Sequence, residues 1–231
     1  MQVYKVPNQS RYEIKFVTYN IYYSEILNWV KLNKSIFKKE YDDRIVNNIY
    51  FDNLSYNCFT DNIYGSSNRT KIRLRWYGKS QGKTNASLEL KFKRNIFGWK
   101  KRFKIKSFDI SENITWAELK KSINLQVSYK GKIWLENYPI PTIINNYTRE
   151  YYVSADKNIR VTLDRNINVF DQRIKKIPNF SKKAFTQNMI VLEIKFDRKI
   201  RKKLNDFLND MPIRVSRNSK YVNSIRAVNG F

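Results

Sequence analysis

The sequence predicts an α+β fold built on an antiparallel sheet of about eight strands, with a few helices between them. Three observations lead there. Eight segments, at 11–19, 47–52, 70–77, 87–94, 101–108, 147–154, 159–164 and 189–197, are rich in β-branched and aromatic residues. Turn signals such as Asp52-Asn53, Gly78, Gly82 and Gly98 bound them. Within several of them polar and apolar residues alternate, which gives a strand one wet and one dry face. About eight short strands suit a barrel or a sandwich.

The helices carry their own marks. Residues 24–33 place Ile26, Leu27 and Val30 on one face. Thr115 followed by Glu118 matches a capping box, with Leu119 and Ile123 at helical spacing behind it. Ile200, Leu204, Phe207, Leu208 and Met211 form a stripe that stops at Pro212. A last helix starts near Ser219 with Tyr221, Ile225 and Val228 inward. Gly and Pro are scarce and scattered, so residues 1–231 are read as a single domain.

Composition narrows the chemistry. The 231 residues contain no histidine, which excludes Ser-His-Asp and Cys-His sites, HExxH zinc sites and any imidazole base. The single cysteine, Cys58, excludes an intramolecular disulfide framework and a CxxC metal site, and reads as an inert small side chain. Lys and Arg outnumber Asp and Glu by 45 to 20, a formal net charge of +25. The partner is therefore expected to be an anion: nucleic acid, a membrane surface or a polyanionic small molecule. Part of the surplus reflects A/T-rich coding, since Lys, Asn, Ile and Tyr are all plentiful. The one block of like charge, 198–203, reads as the polar face of a helix. No apolar signal core and no span of 18 uncharged apolar residues is present, so a cytoplasmic protein is expected.

Three strands carry nearly the same tetrapeptide: Glu13-Ile14-Lys15-Phe16, Glu89-Leu90-Lys91-Phe92 and Glu193-Ile194-Lys195-Phe196. Each puts Glu and Lys on one face and the apolar pair on the other. Arg73-Leu74-Arg75 does the same with two guanidinium groups, and Arg160 to Asp164 more weakly. Two readings stay open. In an open sheet these are cross-strand ion pairs on a wet face. In a closed barrel the charges point inward, the helices cover the apolar outside, and the lumen is a tunnel of Lys, Arg and Glu. Such a tunnel is stabilised by a multivalent anion, because Arg and Lys pair with phosphate oxygens and a Glu can hold a divalent metal that bridges them. Phosphoryl transfer needs little beyond positioning and charge neutralisation, and it needs no histidine.

The ordered set RYEIKF, NNIYFDN, KIRLRWYG, LELKFKR, GWKKRFKI, YTREYY, RVTLD, VLEIKF and SRNSKYVNSI resembles the VTC domain, from about Arg11 to Val228. This is the polyphosphate polymerase domain of the vacuolar transporter chaperone complex, with stand-alone bacterial relatives. The resemblance implies a triphosphate tunnel (CYTH-like) fold, a β-barrel with helices packed outside. It implies transfer of the terminal phosphate of ATP to inorganic polyphosphate, with Mn²⁺ or Mg²⁺. By motif, Arg73, Arg75, Lys91 and Lys195 are the implied catalytic residues. Lys15, Lys101, Arg149, Arg160, Ser219 and Lys220 are the implied phosphate-binding residues, with Lys100 an alternative to Lys101, and Glu193 is the implied metal ligand. Ser and Lys at a helix N-terminus also suit phosphate on physical grounds.

The bland readings are specific too. Lys15, Lys91 and Lys195 could pair with Glu13, Glu89 and Glu193, and Glu13 and Glu89 read as orienting residues. The resemblance implies that Tyr147 continues the lining beside Arg149, and it reads equally as core; Tyr50 and Phe51 read as core, Asp52-Asn53 as a turn, and Trp76 and Trp99 as packing residues. Arg11 stands where the wider superfamily often has the first Glu of E-x-E-x-K, which disfavours a two-carboxylate hydrolase. Nothing resembles the membrane or SPX parts of the eukaryotic complex, so membrane coupling would need a separate protein. A tripolyphosphatase or nucleoside triphosphatase, and a non-enzymatic binder of polyphosphate or nucleic acid, are the alternatives. Nucleic acid is disfavoured because the basic residues follow strand alternation and match no nucleic-acid-binding motif.

Overall fold

Alternation along the chain becomes eight strands and five α-helices in the computed structural model, which describes residues 12–95, 97–196, 207–208 and 210–230. Arg11, Ile200, Leu204 and the charged block 198–203 lie outside the described residues. The strands are β1 (Tyr12–Tyr19), β2 (Lys38–Asp52), β3 (Asn68–Tyr77), β4 (Gly82–Arg94), β5 (Phe97–Ile110), β6 (Ile140–Val153), β7 (Ile159–Asp171) and β8 (Met189–Phe196). The helices are α1 (Tyr23–Leu32), α2 (Asn57–Ile63), α3 (Trp116–Asn124), α4 (Tyr129–Asn137) and α5 (Lys220–Asn229). The strands form one antiparallel sheet in the order β1-β8-β7-β6-β2-β3-β4-β5. Among the described residues no hydrogen-bonded ladder joins β1 to β5, so the sheet is not closed by hydrogen bonds. The α+β class and the eight strands agree with the sequence reading. Among the described residues no helix is long and apolar enough to cross a membrane.

The chain divides into two compact units. The first comprises Met1–Arg44, Tyr147–Ile167 and Gln187–Asn218. Its register sets Ile14, Ile194 and Val161 in one cross-strand row and Phe16, Leu192 and Leu163 in the next. These side chains are buried together with Ile26, Trp29 and Val30 of α1 and with Phe207. Each such burial contributes on the order of 1.5–3 kcal/mol. Phe207, one of three described members of the predicted apolar stripe with Leu208 and Met211, meets Trp29 edge-on at 5.4 Å. The other face of the unit carries its charges. There Arg149 is buried and makes a two-point contact with buried Asp164, Nε to Oδ1 at 2.5 Å and Nη2 to Oδ2 at 2.7 Å. Burial alone would lower the guanidinium pKa; Asp164 outweighs it and holds it well above the ordinary value.

The second unit comprises Ile45–Asn146, Asn168–Thr186 and Ser219–Phe231. Its apolar face is built from rows such as Leu74, Leu88 and Phe103 across β3, β4 and β5. The capping box forms: Thr115 Oγ1 accepts from the Glu118 amide, and the Glu118 carboxylate accepts from the Thr115 amide. Leu119 and Ile123 of α3 are buried, as their spacing requires. Tyr56, at the N-cap of α2, makes no side-chain cap bond; Asn53 Oδ1 accepts from the Asn57 amide at 3.0 Å. The Asp52 carboxylate, at the end of β2, accepts from the amides of Cys58 (3.0 Å) and Phe59 (3.1 Å).

Helix α5 departs from the expectation that helices pack on the outside of the sheet. Tyr221 stacks on Tyr50 with ring centroids 5.1 Å apart, and Tyr50 sits opposite Arg73 on the charged face. The Tyr221 hydroxyl donates to Asp52 Oδ2 at 2.6 Å. Residue alternation cannot show this, because Tyr221 and Ile225 would mark an inward helix face against either side of a sheet. Cys58 is the buried residue of α2; burial, then Asp52, pushes its thiol pKa up, which keeps it an unreactive thiol.

Two outcomes test these assignments. Gly131 of α4 leaves room where a Cβ would lie 2.8 Å from Val127 Cβ. Gly131→Ala gains about 1 kcal/mol of helix propensity but overpacks at a cost of about 1–3 kcal/mol, so a lower urea midpoint is expected. A raised midpoint would show that Val127 yields freely. Asp164→Asn strands a buried guanidinium and should cost about 3–5 kcal/mol in the same measurement. A loss under about 1 kcal/mol would show that Arg149 does not depend on Asp164.

Candidate functional site

In an antiparallel pair, directly opposed residues share a face, so register decides which charges meet. Across β3, β4 and β5 of the second unit the rows are Arg75–Ser87–Lys104, Arg73–Glu89–Arg102, Lys71–Lys91–Lys100 and Arg69–Lys93–Gly98. Glu89 is the single acidic residue at these positions. The third row sets three lysines directly opposite one another, an arrangement that is destabilising without counter-charge.

Glu89 is 1% exposed and gathers three cations. Arg73 donates to Oε2 from Nε at 2.9 Å and from Nη2 at 2.5 Å. Lys100 Nζ (3.2 Å) and Arg102 Nε (2.9 Å) donate to Oε1. Burial pushes the Glu89 carboxyl up, but Arg73, Arg75 and Lys100 together hold it well below the usual carboxylate range. Burial lowers the Lys100 pKa to about 8; Glu89 opposes this and Arg102 adds to it. Arg73 also donates from Nη1 to the Tyr50 hydroxyl at 3.2 Å.

Arg75 is buried and donates from Nε to Asn48 Oδ1 at 2.8 Å. Asn48 in turn donates to Asn145, and Asn145 to the Ser224 hydroxyl on α5. At the start of that helix Lys71 Nζ donates to Ser219 Oγ at 2.7 Å. Ser219 also caps the helix by accepting from the Val222 amide, and Lys220 is the first helical residue. The positive end of the helix therefore adds to a basic corner.

The first unit carries a different face. Its rows are Glu13–Lys195–Arg160 and Lys15–Glu193–Thr162 across β1, β8 and β7. Lys15 pairs with Glu13 at 2.8 Å and with Glu193 at 3.9 Å. Lys195 pairs closely with Glu193 and reaches Glu13 at 3.8 Å. Two carboxylates thus share the same two ammonium groups. Lys15 also donates to the Asn218 carbonyl at 3.2 Å. Arg160 is exposed and pairs with Glu40 at 3.3 Å. Arg149 lies over the ring of Tyr147, at 5.3 Å, besides its contact with Asp164. Among the described residues no group of three His, Cys, Asp or Glu is arranged as a metal cage. The Glu13–Glu193 pair nevertheless suits a hard divalent cation that takes one or two carboxylates and completes its shell with phosphate oxygens and water.

The predicted site residues thus fall into two groups. Arg73, Arg75, Lys91, Ser219 and Lys220 lie in the second unit, and Lys15, Arg149, Arg160, Glu193 and Lys195 in the first. Lys101 is placed otherwise: it sits opposite Leu90, on the apolar face, and Lys100 takes the position beside Glu89. The cause is the Phe92–Trp99 stack at 5.7 Å, which fixes the parity of β5 after the turn. Phe51 is core, as read from the sequence; Tyr147 is buried with its ring against Arg149; and Tyr50 is buried but also receives a hydrogen bond from Arg73. Asp52 is more than a turn residue, since it caps α2 and holds Tyr221. Lys71, Arg102 and Asn48 were missed. The alternation of Lys100, Arg102 and Lys104 was a usable signal; Asn48 offered none.

The family profile described as VTC domain matches residues 10–229. No curated protein matches the chain. Among solved structures, one titled "Structure of PH1819 protein from Pyrococcus Horikoshii OT3" is 15% identical, with 92% of this chain and 97% of that chain covered and a TM-score of 0.44. Because the profile runs through nearly the whole sequence, strands, turns and final helix together, the chain belongs to the VTC domain family.

Proposed function

We propose that this protein is a polyphosphate polymerase that transfers the terminal phosphate of ATP to a growing inorganic polyphosphate chain. The observation that carries the reading is the face of β3–β5, where rows of Lys and Arg stand around one carboxylate. A regular polyanion matches such rows better than any single phosphate does, because each row can meet a successive phosphate. Family membership supports a polyphosphate-related role. The enclosing tunnel implied by the resemblance is part of the proposal.

In this reading Arg73 and Arg75 neutralise the phosphate being transferred, with Lys91 and Lys100 beside them. Lys71, Ser219 and Lys220 hold a phosphate at the start of α5. Lys15, Lys195, Arg149 and Arg160 serve phosphates on the other charged face. Glu193, with Glu13, would hold Mn²⁺ or Mg²⁺, which would supply positive charge to offset that of the phosphates. The nucleophile is a terminal oxygen of the acceptor chain. A bond forms from that oxygen to the γ-phosphorus, the bond from the γ-phosphorus to the bridging oxygen breaks, and ADP leaves. The acceptor oxygen is already ionised, so no general base is needed, and a chain without histidine suffices.

Incubation with ATP and Mn²⁺, analysed for both polymer and orthophosphate, tests the proposal. Polymer is expected, and chelation of the metal should stop it. Arg75→Ala and Glu193→Ala, checked for an intact thermal transition, should each lower polymer formation by at least about 100-fold. Orthophosphate without polymer would instead make the protein a triphosphatase, and wild-type polymer yield in both variants would sink the residue assignment.

A further inference from the structure

Glu89 is the one acid among the four opposed rows from Arg75 to Arg69, and its two oxygens are used differently. Oε2 takes both donors of Arg73, whose side chain is 6% exposed. Oε1 takes Lys100 and Arg102, whose side chains are 37% and 55% exposed. We propose that Glu89 is a positioning residue for phosphate binding, fixing Arg73 through one oxygen and holding Lys100 and Arg102 on the other until a phosphate chain takes them over.

The difference in exposure separates the two functions. The Arg73 contact is buried and two-pointed, and the Tyr50 hydroxyl receives a third donor, so the guanidinium plane is set before any ligand arrives. Lys100 and Arg102 reach solvent and make one hydrogen bond each to Oε1. A phosphate oxygen can replace Oε1 for either arm with no loss of charge pairing. Without Glu89 these cations, together with Arg75 and Lys91 on the same face, would repel one another and spread, and binding would have to regather them. One carboxylate among three cations leaves the group short of negative charge, so the arrangement favours an arriving anion. Arg102 is thereby assigned to the site.

The inference rests on the reading of this face as a phosphate-chain site, and its test measures binding only, so that failure to make polymer leaves it readable. The probe is inorganic tripolyphosphate, titrated at fixed ionic strength between about pH 7 and about pH 10. Lys100 is faced by Glu89, Arg73, Arg102 and Lys91, and its pKa is about 8. Wild-type binding should therefore weaken above that pH through a limb that Lys100→Gln lacks. Glu89→Gln should bind about 10-fold more weakly at pH 7, although it adds one net positive charge, and its limb should move to lower pH because the group that raises the Lys100 pKa is gone. Glu89→Asp should recover part of both. Equal or tighter binding by Glu89→Gln with an unmoved limb would show that Glu89 only offsets charge, and would overturn the proposal. Should Glu89→Gln fail to fold, Lys100→Gln/Arg102→Gln decides. Removing these arms should cost at least about 10-fold in affinity in protein that still shows a cooperative thermal transition. Unchanged affinity overturns the proposal. No tripolyphosphate binding by the wild-type protein would overturn both this inference and the reading of the face.

Discussion

Cations set in rows across neighbouring strands repel one another, and the second unit tolerates this because a buried carboxylate stands among them. Taking Glu89 out of water costs several kcal/mol, and only close, well-directed partners compensate for that cost. Arg73 supplies two of the contacts and Lys100 and Arg102 the others. The dependence is mutual: the carboxylate stays ionised because of the cations, and the cations stay close because of the carboxylate. The first unit meets the same difficulty differently. Its charged face sets acid opposite base where β1 meets β8, so Glu13, Lys15, Glu193 and Lys195 largely neutralise one another. The rows of the second unit are instead strongly positive.

Around the charges lies a polar frame in which each member has a partner. Arg75 leans on Asn48, Asn48 on Asn145, and Asn145 on Ser224 of α5. Asp52 receives the Tyr221 hydroxyl and two amides of α2. Satisfied buried networks of this kind specify one arrangement of their members, because any slip leaves a buried polar group without a partner. The result is that the guanidinium of Arg75 and the middle of α5 are tied by the same chain of hydrogen bonds.

Much of this was legible in the sequence because strand geometry has a simple period. Glu-x-Lys and Arg-x-Arg place charges on one face whatever the neighbours are, and Thr115 and Glu118 cap their helix using only local atoms. What was not legible depends on distant partners. The start of α2 is invisible locally because its caps, Asp52 and Asn53, stand several residues earlier. The first half of β2 is a run of exposed charged residues, Lys38 to Arg44, which gives no apolar alternation to read. Lys100 and Lys101 are equivalent as letters, and only the stacking of Trp99 on Phe92 decides which one turns toward Glu89. Whether a sheet closes is also hidden, since alternation is the same in an open sheet and a closed one.

The position of α5 bears on how the molecule is made. Its first residues, Ser219 and Lys220, follow all eight strands in the chain, yet Ser219 meets Lys71, and Tyr221 meets Tyr50 and Asp52. During synthesis β2 to β5 leave the ribosome long before α5 exists. The basic face must therefore pass through a period in which its cations are present and its capping helix is not. Docking of α5 therefore completes the face last: it brings Ser219 to Lys71 and the Tyr221 ring onto Tyr50.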